Sequence, residues 1–368
     1  MKNLISIKTL FALTLTAMCF FACKKDLSPA NSRNLSVGTN SLVSSSNTSN
    51  VMQVNLVADT QGFWANLIDP NLANAWGIAA PPNGPIWISA NHTGVSTIYN
   101  RTTGQTLRPP VTIPAAMAGQ TGAPTGVIFN GTTDFGGNKF IFAGEDGIIA
   151  AWKGGNVAAK VADRSQFNAV YKGLTMGNDG TGNFLYVANF KGGKIDVFNR
   201  EFHYVTDKPF IDPNIPAGYA PFNIQNIRGR LYVTYALQKE PDHMDDQAGP
   251  GNGYVDIFST SGVLLKRFAS RGTLNSPWGI ALAPPGFASS VQTILVGNFG
   301  DGQISIFNNE GTYLGQLQSQ GKPVWIDGLW AIDFLKGNVP GGSASDWLYF
   351  TSGPDDESHG LFGYLQAQ

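Results

Sequence analysis

Residues 185–198 read LYVANFKGGKIDVF, and residues 294–307 read ILVGNFGDGQISIF. Both carry the same phrase. An apolar run ends in a polar or small residue, a glycine follows within a few places, and a second run carries an aromatic five places after that glycine. The phrase occurs six times. Its glycines are Gly94, Gly147, Gly193, Gly253, Gly302 and Gly360; Tyr99, Trp152, Phe198, Phe258 and Phe307 lie five places on, with Leu365 in the sixth copy. Short apolar runs joined by Gly, Asn and Asp read as paired strands. Strand pairs repeated every ~45–60 residues point to a propeller or another repeat array, because one such unit cannot bury both of its faces alone.

Each unit takes four strands. The inner strands carry a small residue behind a bulky or polar one, at Trp76-Gly77, Thr125-Gly126, Lys172-Gly173, Trp278-Gly279 and Asp327-Gly328, with Phe222-Asn223 in the fourth unit. Small residues suit a place where six backbones crowd one axis. The second strands end at Asn91, Glu145, Asn189, Tyr235, Asn298 and Ser352 and are apolar on both faces, as a sheet sandwiched between neighbours must be. More polar outer strands are expected over residues 104–113, 156–163, 202–207, 262–269 and 311–318. A sixth outer strand is missing after the last unit. Val51–Ala58, VMQVNLVA, is expected to supply it from the other end of the chain. The reading is an all-β, six-bladed β-propeller of four-stranded blades over residues 51–368, its N-terminal strand closing the last blade and removing exposed sheet edges.

The chain has 368 residues, 44 Gly, 21 Pro and 13% charged residues, which suits many short strands joined by turns. The formal net charge is −1, so no basic field exists to attract nucleic acid. Lys2 and Lys8 precede an apolar stretch over residues 10–21, and Phe20-Phe21-Ala22-Cys23 resembles a bacterial lipobox. Residues 1–22 are therefore expected to be a lipoprotein signal peptide, Cys23 the lipid-modified first residue, and residues 23–50 a Ser/Asn-rich flexible tether. An ordinary cleaved signal with a chance cysteine is the alternative. Cys19 and Cys23 are the chain's two cysteines, so the mature fold would carry no disulfide. The expected setting is the cell envelope, at the outer membrane of a Gram-negative bacterium. The expected body is a monomer meeting the membrane through its lipid.

Several phrases look like one family: NAWGIA from Asn74, GAPTGVIFN from Gly122, AVYKGLTMG from Ala169, FIDPNIPAGYAPFNIQ from Phe210, LNSPWGIALAP from Leu274 and HGLFGY from His359. Together they resemble an uncharacterised family of exported six-bladed propellers, some of whose members carry a PEP-CTERM sorting tail. More distantly the pattern is similar to NHL-type propellers. The resemblance implies the fold and an extracytoplasmic setting, and no activity. No PEP-CTERM tail occurs in this sequence.

In a propeller the ends of the second strands and the starts of the inner strands meet on one face. Asn91, Glu145, Asn189, Tyr235, Asn298 and Ser352 are expected to ring that face. Their oxygens could hold a hard cation such as calcium; equally, Asn and Ser are favoured turn residues. Two acidic loops, EPDHMDDQAGPGNG over residues 240–253 and GPDDESHG over residues 353–360, should emerge beside the ring. They add Asp242, His243, Asp245, Asp246, Asp355, Asp356, Glu357 and His359; Asp327 completes the metal or ligand candidates. Trp76, Trp278, Trp330 and Tyr219 could line a pocket for a flat ligand or fill gaps between blades. There is no GxSxG and no helix-opening glycine loop. The expectation is a binding module for a protein, glycan or small molecule, using the loop-rich face. The alternative is a calcium-type metal-dependent hydrolase or lyase, by fold-level analogy with lactonase propellers.

Overall fold

The computed structural model describes residues 50–336, 338–339, 342–343 and 347–368. The expected signal segment, Cys23 and the tether up to residue 49 lie outside the described residues. Six four-stranded blades form a propeller ring. From the axis outward, blade one comprises Ala75–Ala79, Ile86–Ala90, Val95–Tyr99 and Val111–Thr112. Blade two comprises Pro124–Phe129, Phe140–Gly144, Ile148–Trp152 and Ala159–Asp163, and blade three Tyr171–Asn178, Asn183–Asn189, Lys194–Phe198 and Tyr204–Val205. Blade four comprises Tyr219–Ile227, Arg230–Leu237, Gly253–Ser259 and Leu264–Ser270, and blade five Pro277–Ala283, Thr293–Asn298, Ile304–Phe307 and Tyr313–Gln316. Blade six comprises Leu329–Asp333, Trp347–Ser352, Leu361–Ala367 and, as its outer strand, Val51–Ala58.

The closing strand is antiparallel to Leu361–Ala367, with Val51 opposite Ala367, Val54 opposite Tyr364 and Val57 opposite Phe362. Leu67–Ile68 then adds a short parallel fifth strand, which periodicity alone did not reveal. Several outer strands are shorter than expected. In blade one, residues 104–113 pair over Val111–Thr112, with an isolated bridge between Tyr99 and Thr106. Pro109 and Pro110 interrupt that segment and have no N–H to donate.

The apolar faces of the blades pack as six clusters, five of them each filling one junction between neighbours and the sixth joining the junction of blades six and one to the axial residues Phe190, Phe222 and Trp278. Between blades one and two, Trp87 stacks on Phe140 at 4.0 Å. The aromatic five places after the repeated glycine belongs to this packing: Tyr99, Phe198, Phe258 and Phe307 are all buried. Burial on both faces explains why the second strands read as unbroken apolar runs.

Every inner strand breaks register once. The shifts fall between Ala75 and Ile78, Pro124 and Val127, Tyr171 and Gly173, Pro221 and Asn223, Pro277 and Gly279, and Leu329 and Ile332. A bulge of this kind bends the strand and re-aims the side chain it carries. The residues held in the bulges are Trp76, Thr125, Lys172, Phe222, Trp278 and Trp330. In blade six the bulge therefore lies at Trp330-Ala331, and Asp327-Gly328, expected as the inner pair, precedes the strand instead. Close approach demands glycine at Gly77, where an added Cβ would lie 2.6 Å from both the Thr125 carbonyl oxygen and the Val127 nitrogen.

The bulged residues from well-separated blades touch one another, so they meet at the axis. Trp76 stacks on Trp330 at 3.6 Å, and Trp330 stacks on Phe299 at 3.9 Å. Trp278 meets Trp76 and Trp330 edge-on, and Phe222 leans against Trp330. This aromatic plug closes the axis near the face where second strands end. Beyond it lies a cavity of about 40 Å³ lined by Gly77, Gly126, Gly279, Asn223, Gln225 and Asp333 among others. Side chains stitch the inner ring together: Thr125 Oγ1 donates to the Tyr171 carbonyl at 2.9 Å, Asn223 Nδ2 donates to the Trp278 carbonyl at 2.8 Å, and Thr351 Oγ1 donates to the Trp76 carbonyl.

Candidate functional site

Four of the six bulge positions hold Trp or Phe, and a fifth holds Thr. In blade three the position is Lys172, whose ammonium lies 5.0 Å from the centre of the Trp76 ring. Its side chain is 3% exposed. A charge this deep needs partners. Lys172 Nζ donates to Glu145 Oε1 at 2.5 Å, from blade two, and to Asp245 Oδ1 at 3.1 Å, from the long loop of blade four. Burial alone would pull the lysine down, but Glu145 and Asp245 outweigh it and hold the pKa above the ordinary range. Glu145 is fixed from its other side by Asn91 Nδ2, which donates to Oε2 at 2.8 Å.

A second assembly lies beside the first. Asn74 precedes the inner strand of blade one and is 1% exposed. Its Oδ1 accepts from Trp330 Nε1 at 3.1 Å, while Nδ2 donates to Glu357 Oε2 at 2.7 Å and lies 3.3 Å from His92 Nε2. All the principal capacity of the amide is thus used, which fixes its orientation. Gly353 leaves room for it: an added Cβ would lie 2.3 Å from Asn74 Oδ1.

Glu357 is carried on an unusual turn. Asp355, Asp356 and Glu357 have φ of 55°, 51° and 64°, three successive non-glycine residues in the left-handed region. Each costs about 1–2 kcal/mol of backbone strain. The Asp355 N–H donates to Asp327 Oδ2 at 2.9 Å, and the Glu357 N–H donates to the Gly353 carbonyl at 3.1 Å, bracing the turn. Burial pushes the Glu357 carboxyl up to about 7; the Asn74 hydrogen bond and Lys172 oppose the rise, and Glu145 and Asp245 add to it. The mouth of the axis therefore holds a permanent cation, two carboxylates bound to it, and one carboxyl that exchanges its proton near neutrality. Lys172, held protonated, is no nucleophile there.

The ring expected from the sequence divides. Asn91, Glu145 and Glu357 join these assemblies. Asn189 and Asn298 brace nearby loops: Asn189 Oδ1 accepts from the Gly192 N–H at 3.0 Å while Nδ2 donates to Asp196, and Asn298 Nδ2 donates to the Thr273 carbonyl at 2.7 Å while Oδ1 accepts from the Asn275 N–H at 3.1 Å. Tyr235 packs between blades three and four, and Ser352 is buried. Asp327 braces the Glu357 turn. His359 Nδ1 lies 3.1 Å from Asp59 Oδ2 and its ring meets Phe63, so it fastens the end of the closing strand. His243 Nε2 lies 2.8 Å from Glu240 Oε2 within its own loop. Trp76, Trp278 and Trp330 do come together, buried in the plug, while Tyr219 packs edge-on against Tyr254 at 4.7 Å.

This donor set does not fit a resident calcium ion held by the ring. Glu145 faces an ammonium group, and the oxygens of Asn189 and Asn298 are engaged by backbone. Among the described residues, no group of three or more His, Cys, Asp or Glu is arranged to hold a metal. Lys172 and Asn74 stood in the inner-strand motifs read from the sequence but not among its candidate site residues. The signal for Lys172 is its place in an inner-strand position that is aromatic in most other units.

No family model matches the chain. Two proteins of Acanthamoeba polyphaga mimivirus do: uncharacterized protein R648, 32% identical over 331 residues that cover 85% of this chain and 80% of that protein, and uncharacterized protein L690, 32% identical over 334 residues covering 85% of each. The chain belongs to their family. Among solved structures, a protein of unknown function from Bacteroides thetaiotaomicron matches with a TM-score of 0.53 at 11% identity, over 86% of this chain and 76% of that one. Virginiamycin B lyase from Staphylococcus aureus matches with a TM-score of 0.50 at 14% identity, over 86% and 99%. Structural likeness at these identities carries the propeller fold to this member of the family, and no activity.

Proposed function

We propose that the protein is an extracytoplasmic binding propeller, anchored through a lipid on Cys23, that captures a small polar ligand at the mouth of its axis. The observation that carries this reading is Glu357, a carboxyl half-protonated near neutrality and carried on a strained turn beside the Lys172–Glu145–Asp245 cluster. Strained backbone and shifted carboxyls concentrate at functional sites, where rigid surroundings hold them. The aromatic plug beneath gives such a ligand a floor. The chemistry favours a ligand rich in hydroxyl or amine donors, which the surplus of carboxylates would receive; a glycan end or a small polyol-amine has that character. The test is a calorimetric titration of neutral oligosaccharides and small amines against wild type, Glu357→Gln and Asp245→Asn. A ligand whose affinity falls at least ~10-fold in both variants supports the reading. Ligands that bind all three proteins equally place recognition elsewhere. Anchoring is tested separately, by lipid labelling and membrane fractionation of Cys23→Ser.

A second reading is favoured by the Glu357 pKa alone: acid–base catalysis of a hydrolase or lyase reaction at the same mouth. Its mark would be turnover of a lactone or ester panel with a pH profile breaking near 7, abolished in Glu357→Gln without loss of folding.

A further inference from the structure

On the face opposite the mouth, the hairpin of blade four turns at Arg228-Gly229 and opens a groove of about 340 Å³ toward blade five. The volume falls within the range of small-ligand pockets, ~300–1,000 Å³. Its walls are Ile227 and Leu282, half-buried, over the buried Tyr232 and Ile294, with Asn309 at its edge. Its rim carries Arg228 and Arg230. Both residues are exposed, and among the described residues neither guanidinium forms a hydrogen bond or ion pair.

The position of Arg228 is a second, independent feature. Arg228 and Gly229 have φ of 54° and 78°, the two left-handed positions of a tight hairpin turn. Asn or Gly is the favoured residue at the first of these. An arginine held there costs backbone strain and gains no partner within the fold.

We propose that this groove binds a small amphipathic anion, its carboxylate, phosphate or sulfate head held by Arg228 and Arg230 and its apolar body lying against the half-buried Ile227 and Leu282. Planar guanidinium groups match such heads in a two-point fashion that a lone cation cannot. The same chemistry is offered by a free short-chain acid and by the headgroup of an anionic lipid, and the assay separates them.

The full chain is titrated with octanoate, with acetate and with octylamine, and is sedimented with phosphatidylglycerol or phosphatidylcholine vesicles. Saturable octanoate binding is expected, with acetate at least ~10-fold weaker and octylamine not bound. Arg228→Gly and Arg230→Gln are each expected to weaken octanoate at least ~10-fold. Arg228→Gly should melt no lower than wild type, because glycine relieves the turn; a lost affinity therefore reports lost recognition and not lost folding. Sedimentation with phosphatidylglycerol alone, dependent on both arginines, assigns the groove to a lipid headgroup. Octanoate affinity unchanged in both variants, equal binding of octylamine, or no binding of octanoate and of vesicles alike would overturn the proposal.

Discussion

Val54 of the first strand lies opposite Tyr364 of the last, in antiparallel register. The pair joins the two ends of the described chain in one sheet, so blade six is incomplete until its outer strand is in place. Leu56, Val57 and Ala58 of that strand are all buried. Deleting residues 51–58 would open an edge on Leu361–Ala367 and expose apolar surface on both sides of it. The truncated protein is expected to lose its cooperative melting transition or to elute as aggregate on gel filtration. A melting curve matching that of the full chain would contradict a structural role for the closing strand.

Lys172 is the charge on which the mouth depends. Replacing it with Met leaves Glu145 and Asp245 without their cation, and breaking a buried pair from one side costs about 3–5 kcal/mol. Asp245 is largely solvent-exposed, so the lower part of that range is expected. Adding Glu145→Gln to Lys172→Met should recover much of the loss, since the orphaned carboxylate is then gone. Chemical denaturation of the two single variants and the double variant measures the coupling.

Glu357 makes stability fall as pH rises. Its folded pKa, about 7, lies above its unfolded value of 4.5, so the folded state binds the proton more tightly. The stabilisation is fully present below pH ~4.5 and is lost as pH climbs through 7. Asp333, pushed up to about 6 by burial, has the same sign. The decisive comparison is thus between proteins: between pH 5 and 8 the melting temperature of wild type should decline more steeply than that of Glu357→Gln. Parallel curves would mean that Glu357 titrates as an ordinary surface carboxylate.

Gly77 and Gly182 make a contrasting pair for Ala substitution. At Gly77 the new methyl meets backbone of blade two at 2.6 Å, which no rotamer change relieves. A loss of about 1–3 kcal/mol is expected. At Gly182 nothing lies within 4 Å, and Ala there is expected to be neutral or mildly stabilising. Melting temperatures of the two variants separate axial crowding from a general intolerance of glycine replacement.

The repeated strand–glycine–aromatic phrase made the blades legible, because burial between neighbours forces both faces of a second strand to be apolar. The absence of a sixth outer strand pointed to Val51–Ala58 for the same reason: a ring has no spare edge. Glu145 and Glu357 were legible as mouth residues from their place at strand ends and loops. The pairing of Asn74 with Glu357 was not, since it joins blade one to blade six through the left-handed backbone of residues 355–357, and local sequence gives no sign of that conformation in two Asp and a Glu. Lys172 was visible as a residue before a glycine, but its role follows from the bulge that turns it inward. The residue–glycine pairs of the inner strands marked where these bulges fall, but not that the side chain before the glycine turns toward the axis.

The indole stack at the centre stands between the Glu357 side of the ring and the axial cavity beyond it. Any passage along the axis from the Glu357 side to the cavity beyond would have to displace the stack of Trp76, Trp330 and Phe299. Around that stack the inner-ring hydrogen bonds of Thr125, Asn223 and Thr351 tie neighbouring blades together, so opening it would strain three blade junctions at once.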